Sequence, residues 1–153
     1  ASMAKNVPVY DFIGYKLLNA AYSRKNKTPV EYFIVKTADS IFNEKLRIFE
    51  IFLEVTIKFI EDDISRFVFN AGFKINDLDW KNQLKDEVLE SLFVSVVFPY
   101  VREKIFSITD DSRGAFILPI IDLRNVSLSK GAKFSPVYLG PIKKEDNSDN
   151  SQN

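Results

Sequence analysis

Apolar and polar side chains alternate one by one over residues 47–60. Phe49, Ile51, Leu53, Val55, Ile57 and Phe59 fall on one side, and Ile48, Glu50, Phe52, Glu54, Thr56, Lys58 and Ile60 on the other. A period of two with charges confined to one side marks a strand half-buried in an antiparallel sheet. Glu61-Asp62-Asp63 reads as a turn. Residues 65–75 then repeat the alternation, with Phe67, Phe69, Ala71, Phe73 and Ile75 inward and Arg66, Asn70 and Lys74 between them. Residues 47–75 therefore predict a long hairpin whose first arm is long enough to require twist or bending. Upstream, residues 9–22 predict a strand with a bulge or bend near Gly14. Residues 23–29 predict a basic polar loop, 30–37 a second strand and 38–45 a connector.

From Asn76 the period changes. Asn76 to Asp79 offer helix caps ahead of Trp80, and a helix is predicted from there to about Ser107. Leu84, Val88, Leu92, Val96 and Ile105 sit near one face, and Leu89, Phe93, Val97 and Val101 widen it. Lys81, Lys85, Asp86, Glu87 and Glu90 make a polar side in the first half only. From Leu92 to Tyr100 the helix is apolar nearly all round, so burial on more than one side is expected, with another subunit the simplest cover. A monomer is expected to expose Leu92, Val94, Phe98 and Val101, which makes them the predicted interface of a homo-oligomer. Pro99 removes one helical hydrogen bond and clashes near Ser95, at a cost of about 3 kcal/mol. A kink that shapes the packing is expected there, with Ser95 placed to help satisfy the freed group. Asp110 to Gly114 end the helix, and residues 116–123 read as apolar and extended. The pattern fades after Asn125. Val137-Tyr138-Leu139 is a last apolar patch, and residues 143–153 read as a disordered polar tail. The whole reads as one domain over residues 8–142.

Three runs stand out: Val97-Phe98-Pro99-Tyr100-Val101-Arg102-Glu103, then Ser112-Arg113-Gly114-Ala115-Phe116, then Pro119-Ile120-Ile121-Asp122-Leu123. Together they resemble the SecB family of protein-export chaperones. That family's long first helix carries a Phe-Pro-Tyr-x-Arg-Glu run and ends at an Arg-Gly before an extended segment containing proline. The resemblance covers roughly residues 10–123 and is strongest at 97–103 and 112–123. It implies an α+β fold, a four-stranded antiparallel sheet with a long helix packed on one face, and dimers paired into a tetramer. It also implies a cytoplasmic, ATP-independent holdase for unfolded or precursor polypeptides in protein export, with the export motor ATPase as a second partner. Phe98, Pro99, Tyr100, Arg102 and Glu103 would be structural members of the helix motif. Two departures stand beside this. Residues 124–153 show no helical repeat where the family has a second helix, and Pro136, Gly140 and Pro141 fall there. The acids that the family offers to the motor are not evident, with Asn70 near the place of a glutamate. They motivate an alternative: a SecB-fold protein dedicated to one partner, such as an antitoxin.

Composition narrows the chemistry. Lys+Arg and Asp+Glu are 21 each, so no global field favours nucleic acid or an anionic membrane. The absence of Cys and His removes disulfides, thiol nucleophiles, Cys/His zinc sites and the usual neutral-pH proton shuttle. Acidic residues cluster at Glu61-Asp62-Asp63, Asp77/Asp79 and Asp110-Asp111, all at turns or helix ends, where carboxylates are ordinary. No enzyme activity, cofactor or metal is expected. No apolar run is long enough for membrane insertion, and no apolar signal core opens the chain. Ala1-Ser2 before Met3 reads as a remnant of expression. The chain holds 14 Phe against one Trp and one Met. Some of that aromatic surface is expected to meet other chains. The candidate client-binding residues are Tyr15, Leu17, Tyr32, Ile34, Phe42, Phe52 and Val137.

Overall fold

The computed structural model describes residues 7–61, 63–123 and 126–136. Five strands form one antiparallel sheet: β1 (Tyr10–Ala21), β2 (Val30–Asn43), β3 (Ile48–Phe59), β4 (Ile64–Ile75) and β5 (Ala132–Phe134). Their order across the sheet is β1-β4-β3-β2-β5. A short helix α1 (Leu78–Asn82) and a long helix α2 (Asp86–Thr109) follow β4. The architecture is α+β, with α2 on one face of the sheet.

The predicted hairpin is β3–β4. Burial alternates residue by residue along both strands. Register pairs Phe49 with Phe73, Ile51 with Ala71, Leu53 with Phe69 and Val55 with Phe67. All of these face α2 and are buried. The bending needed by such long strands is taken up by their neighbours. β1 is bulged between Phe12 and Gly14 and again between Leu17 and Asn19. Gly14, at φ +152, adopts at the first bulge a backbone that side chains rarely tolerate.

Four expectations are corrected. The sheet has five strands rather than four. β5 pairs with β2 through Phe33–Phe134, Ile34–Lys133 and Val35–Ala132. Gly131, at φ +85, turns the chain into it, and a Cβ there would lie 3.2 Å from Ile34 Cγ2. Residues 38–43 are strand, not connector, because a bulge between Thr37 and Asp39 shifts the alternation by one residue and hides it. The helix is broken at residues 83–85. Asp77 caps α1 by accepting the Trp80 N–H at 3.0 Å, and Asp86 and Glu87 supply negative charge to the first turn of α2. Finally, Val94, Phe98 and Val101 are buried within the single chain. The core face of α2 is Leu89, Phe93, Val94, Val97, Phe98, Val101, Ile105 and Thr109. Val88 is exposed, and Leu92 and Val96 are half-buried toward the outside.

Phe93 anchors the helix to the sheet. Its ring stacks on Phe73 at 4.1 Å and meets Tyr10 and Phe49 at 5.0 and 5.4 Å. Pro99 lies on the exposed side of α2, as does Ser95, so the carbonyl that loses its donor is turned toward solvent. Ser95 Oγ donates to Ser91 O at 2.8 Å and does not serve the freed group.

Candidate polypeptide-binding surface

Beyond α2 the chain reverses. Residues 114–123 run without regular secondary structure, as a strap held to the helix. Thr109, the last residue of α2, is fully buried and holds the reversal. Its hydroxyl donates to Ile105 O at 2.8 Å and accepts the Phe116 N–H at 2.8 Å. Arg102 Nε donates to Leu118 O at 3.0 Å, and Ser91 Oγ donates to Val126 O at 3.3 Å. At the far end, Thr37 N–H donates to Leu128 O at 2.9 Å and joins the returning chain to the β2 edge. The strap thus closes the core between α2 and β2, with Phe116, Leu118 and Leu123 buried.

Ile117 points out between the buried Phe116 and Leu118, as alternation along an extended segment requires, whereas Ile120 is exposed against that alternation. Ile117 is 67 % exposed and Ile120 85 % exposed, although both sit in an apolar run. Next to Ile117 a cleft of about 300 Å³ opens on the helix, lined by Pro99, Arg102, Glu103, Phe106 and Ile117. Along α2 the outward positions are Val88, Leu92, Ser95, Val96, Pro99, Tyr100 and Phe106, and no charged residue occurs between Glu90 and Arg102. The helix thus presents an outward side free of charge from Ser91 to Val101, and beyond it Arg102 and Glu103 border the exposed Phe106 and Ile117; this surface is uncovered among the described residues. Such a face can take extended or collapsed apolar segments through area rather than through fixed hydrogen bonds.

The residues proposed from sequence divide between the two sheet faces. Tyr15 and Leu17 lie opposite Ala71 and Phe69 and point toward the helix layer. Tyr15 is half-buried against Phe69 and Tyr100, with ring centroids at 6.3 and 5.6 Å. Phe42, also on that side, packs near Phe49 under the Lys81 ammonium, 4.3 Å from its ring. Tyr32, Ile34 and Phe52 are half-buried on the outer sheet face. Val137 lies outside the described residues. The structure does not gather these into one site. Ile117, Ile120 and Phe106 went unnoticed in the sequence, where an unbroken apolar run does not show which members face water.

The carboxylate clusters do not converge. Asp63 accepts the Lys25 N–H, Asp77 caps α1, and Asp111 is tied to Arg113. The hydrogen bond from the Arg113 side chain holds the Asp111 carboxyl below its ordinary range. Among the described residues no cluster of three metal-ligating side chains occurs, and no helix is long and apolar enough to cross a membrane.

No family model and no curated protein matches this sequence. Among solved structures, the chain is similar to the SecB-like chaperone Rv1957 of Mycobacterium tuberculosis, solved with a ChAD peptide from the Rv1956 HigA1 antitoxin. The TM-score is 0.55 at 16 % identity, over 78 % of this chain and 93 % of that one. A protein of unknown function from Streptococcus agalactiae matches at TM-score 0.38 and 12 % identity, over 72 % of this chain and 97 % of that one. The first likeness shows a SecB-like fold.

Proposed function

We propose that this chain is a SecB-like chaperone that holds unfolded or precursor polypeptides, without nucleotide, on the apolar face formed by α2 and the strap. The observation that carries the reading is the exposure of three large apolar side chains, Ile117, Ile120 and Phe106, of which Ile117 and Phe106 line one cleft. Leaving several such side chains in water forgoes about 1.5–3 kcal/mol each, which an apolar client segment recovers on binding. The SecB-like fold supports the same reading. A cytoplasmic setting and a homo-oligomer, dimer or tetramer, belong to this proposal. Val94, Phe98 and Val101 are buried in the single chain; in this proposal Val88, Leu92, Val96 and Tyr100 make the subunit contact instead, which leaves Phe106, Ile117 and Ile120 as the part of the face open to a client.

The test is suppression of aggregation of a chemically denatured substrate in the absence of nucleotide. Wild type suppresses it, and the pair Ile117→Asp/Ile120→Asp, both at exposed positions, loses most of that effect. Absence of suppression by wild type at several-fold excess refutes the reading.

A second reading is dedication to one partner. The complex of Rv1957 with an antitoxin peptide favours it. Capture from the native host separates the two: many precursors support a general holdase, and one dominant polypeptide supports a dedicated guardian.

A further inference from the structure

The sheet face turned away from α2 has an uneven distribution of charge. Register places its side chains in rows. Lys133, Ile34, Thr56 and Arg66 form one row across β5, β2, β3 and β4. Tyr32 and Lys58 are neighbours in the next, and Lys36 and Glu54 in the one before. This corner therefore carries four cations, Lys36, Lys58, Arg66 and Lys133. Against them, among the described residues of these rows, stand two carboxylates, each already engaged: Glu31 with Lys58 at 3.3 Å and Glu54 with Arg66 at 2.9 Å. Toward the other end of the face, Lys16 and Lys74 are offset by Glu50 and Asp39, so the excess of positive charge is local to the corner. Lys36 and Lys133 are both exposed. The Lys133 ammonium lies 4.1 Å from the centroid of the Tyr32 ring, whose face is its contact.

We propose that this corner docks an acidic stretch of a partner polypeptide in which carboxylates alternate with apolar side chains. Carboxylates would meet Lys36 and Lys133, drawing Lys133 off the Tyr32 ring, and an apolar side chain would take the vacated ring face beside Ile34. Interleaved apolar residues and an excess of only two charges suit a polypeptide better than a phosphate backbone, whose binding rests on many neutralised phosphates. The surface lies opposite the α2–strap face, so it goes beyond the client-holding reading and can fail or stand independently of it.

The test is fluorescence anisotropy with three labelled peptides of one length, in which Glu, Gln or Lys alternates with Phe and Leu. A single-stranded oligonucleotide of the same charge as the Glu peptide serves as competitor. Wild type should bind the Glu peptide about tenfold more tightly than the Lys peptide at low salt, with the gap narrowing as salt is raised. Lys36→Glu/Lys133→Glu should reverse that order while aggregation suppression through α2 and the strap is unchanged. Equal binding of the three peptides, preference for the Lys peptide, no binding of any, or an order untouched by the double substitution overturns the proposal. Tighter binding of the oligonucleotide than of the Glu peptide also overturns it and assigns the corner to nucleic acid. Loss of aggregation suppression by wild type would refute the client-holding reading alone.

Discussion

Thr109→Val is the most direct probe of the strap, because it removes one oxygen and keeps the side chain's shape. The Thr109 hydroxyl is buried and accepts the Phe116 N–H at 2.8 Å where the strap leaves the helix. Valine leaves that N–H in the interior without an acceptor, at about 1–3 kcal/mol. The second bond, from the hydroxyl to Ile105 O, adds little, since that carbonyl lies within the helix. Thr109→Ser is the control: it keeps the hydroxyl and loses a methyl, at about 1 kcal/mol. Urea unfolding followed by circular dichroism, at one protein concentration so that assembly contributes equally, should give the order wild type, Ser, Val with an unchanged slope. A valine variant as stable as wild type, or a serine variant less stable than the valine one, would refute the claim that this hydroxyl anchors the strap.

Arg102→Leu should free the Leu118 carbonyl and open residues 115–123 to hydrogen exchange before global unfolding, at a cost of at most about 3 kcal/mol; unchanged protection there counts against the contact. Phe93→Ala removes the ring stacked on Phe73 and should cost about 3–5 kcal/mol, read as a lowered urea midpoint. Leu92→Asp should dissociate the oligomer with the circular dichroism spectrum intact, whereas Phe98→Asp should abolish that spectrum by placing a carboxylate in the core; light scattering giving a wild-type mass of 17.6 kDa would remove the assembly claim. Asp111, held below its ordinary value of 3.8 by Arg113, contributes stability above that pH and loses it as pH falls through the lower folded value; Asp111→Asn should flatten the acid limb of a stability–pH curve.

What could be read from the sequence follows from which elements have a wet side. β3 and β4 alternate cleanly because one face meets α2 and the other carries Glu50, Glu54, Lys58, Arg66 and Lys74. The existence of α2 was equally plain, but its rotation was not. Between Leu92 and Tyr100 no charged residue marks the outside, so Leu92 and Val96 could not be told from Phe93 and Val97. The second half of β2 was hidden by its bulge. β5 was hidden by its three-residue length, since its pairing with Phe33, Ile34 and Val35 is made about a hundred residues away in sequence. The candidate surface was legible only as an apolar run at 116–123. The partition into buried Phe116 and Leu118 and exposed Ile117 and Ile120 depends on the strap meeting the helix at Thr109 and Arg102.

The motif at 98–103 illustrates why resemblance can follow fold while leaving function open. Phe98 and Val101 enter the core of the single chain. Tyr100 lies over β1, with ring centroids 5.4 Å from Phe12 and 5.6 Å from Tyr15. Arg102 reaches the opposite flank and holds the strap through Leu118 O. Pro99 and Glu103 remain on the outside, both lining the cleft beside Ile117. One and a half turns of helix thus join the sheet edge, the core and the strap. A substitution at Tyr100 or Arg102 would disturb that junction whatever the surface binds. In the proposed reading the residues that would choose a client are the outward ones, where apolar character matters more than identity, so that surface can diverge while the junction is kept.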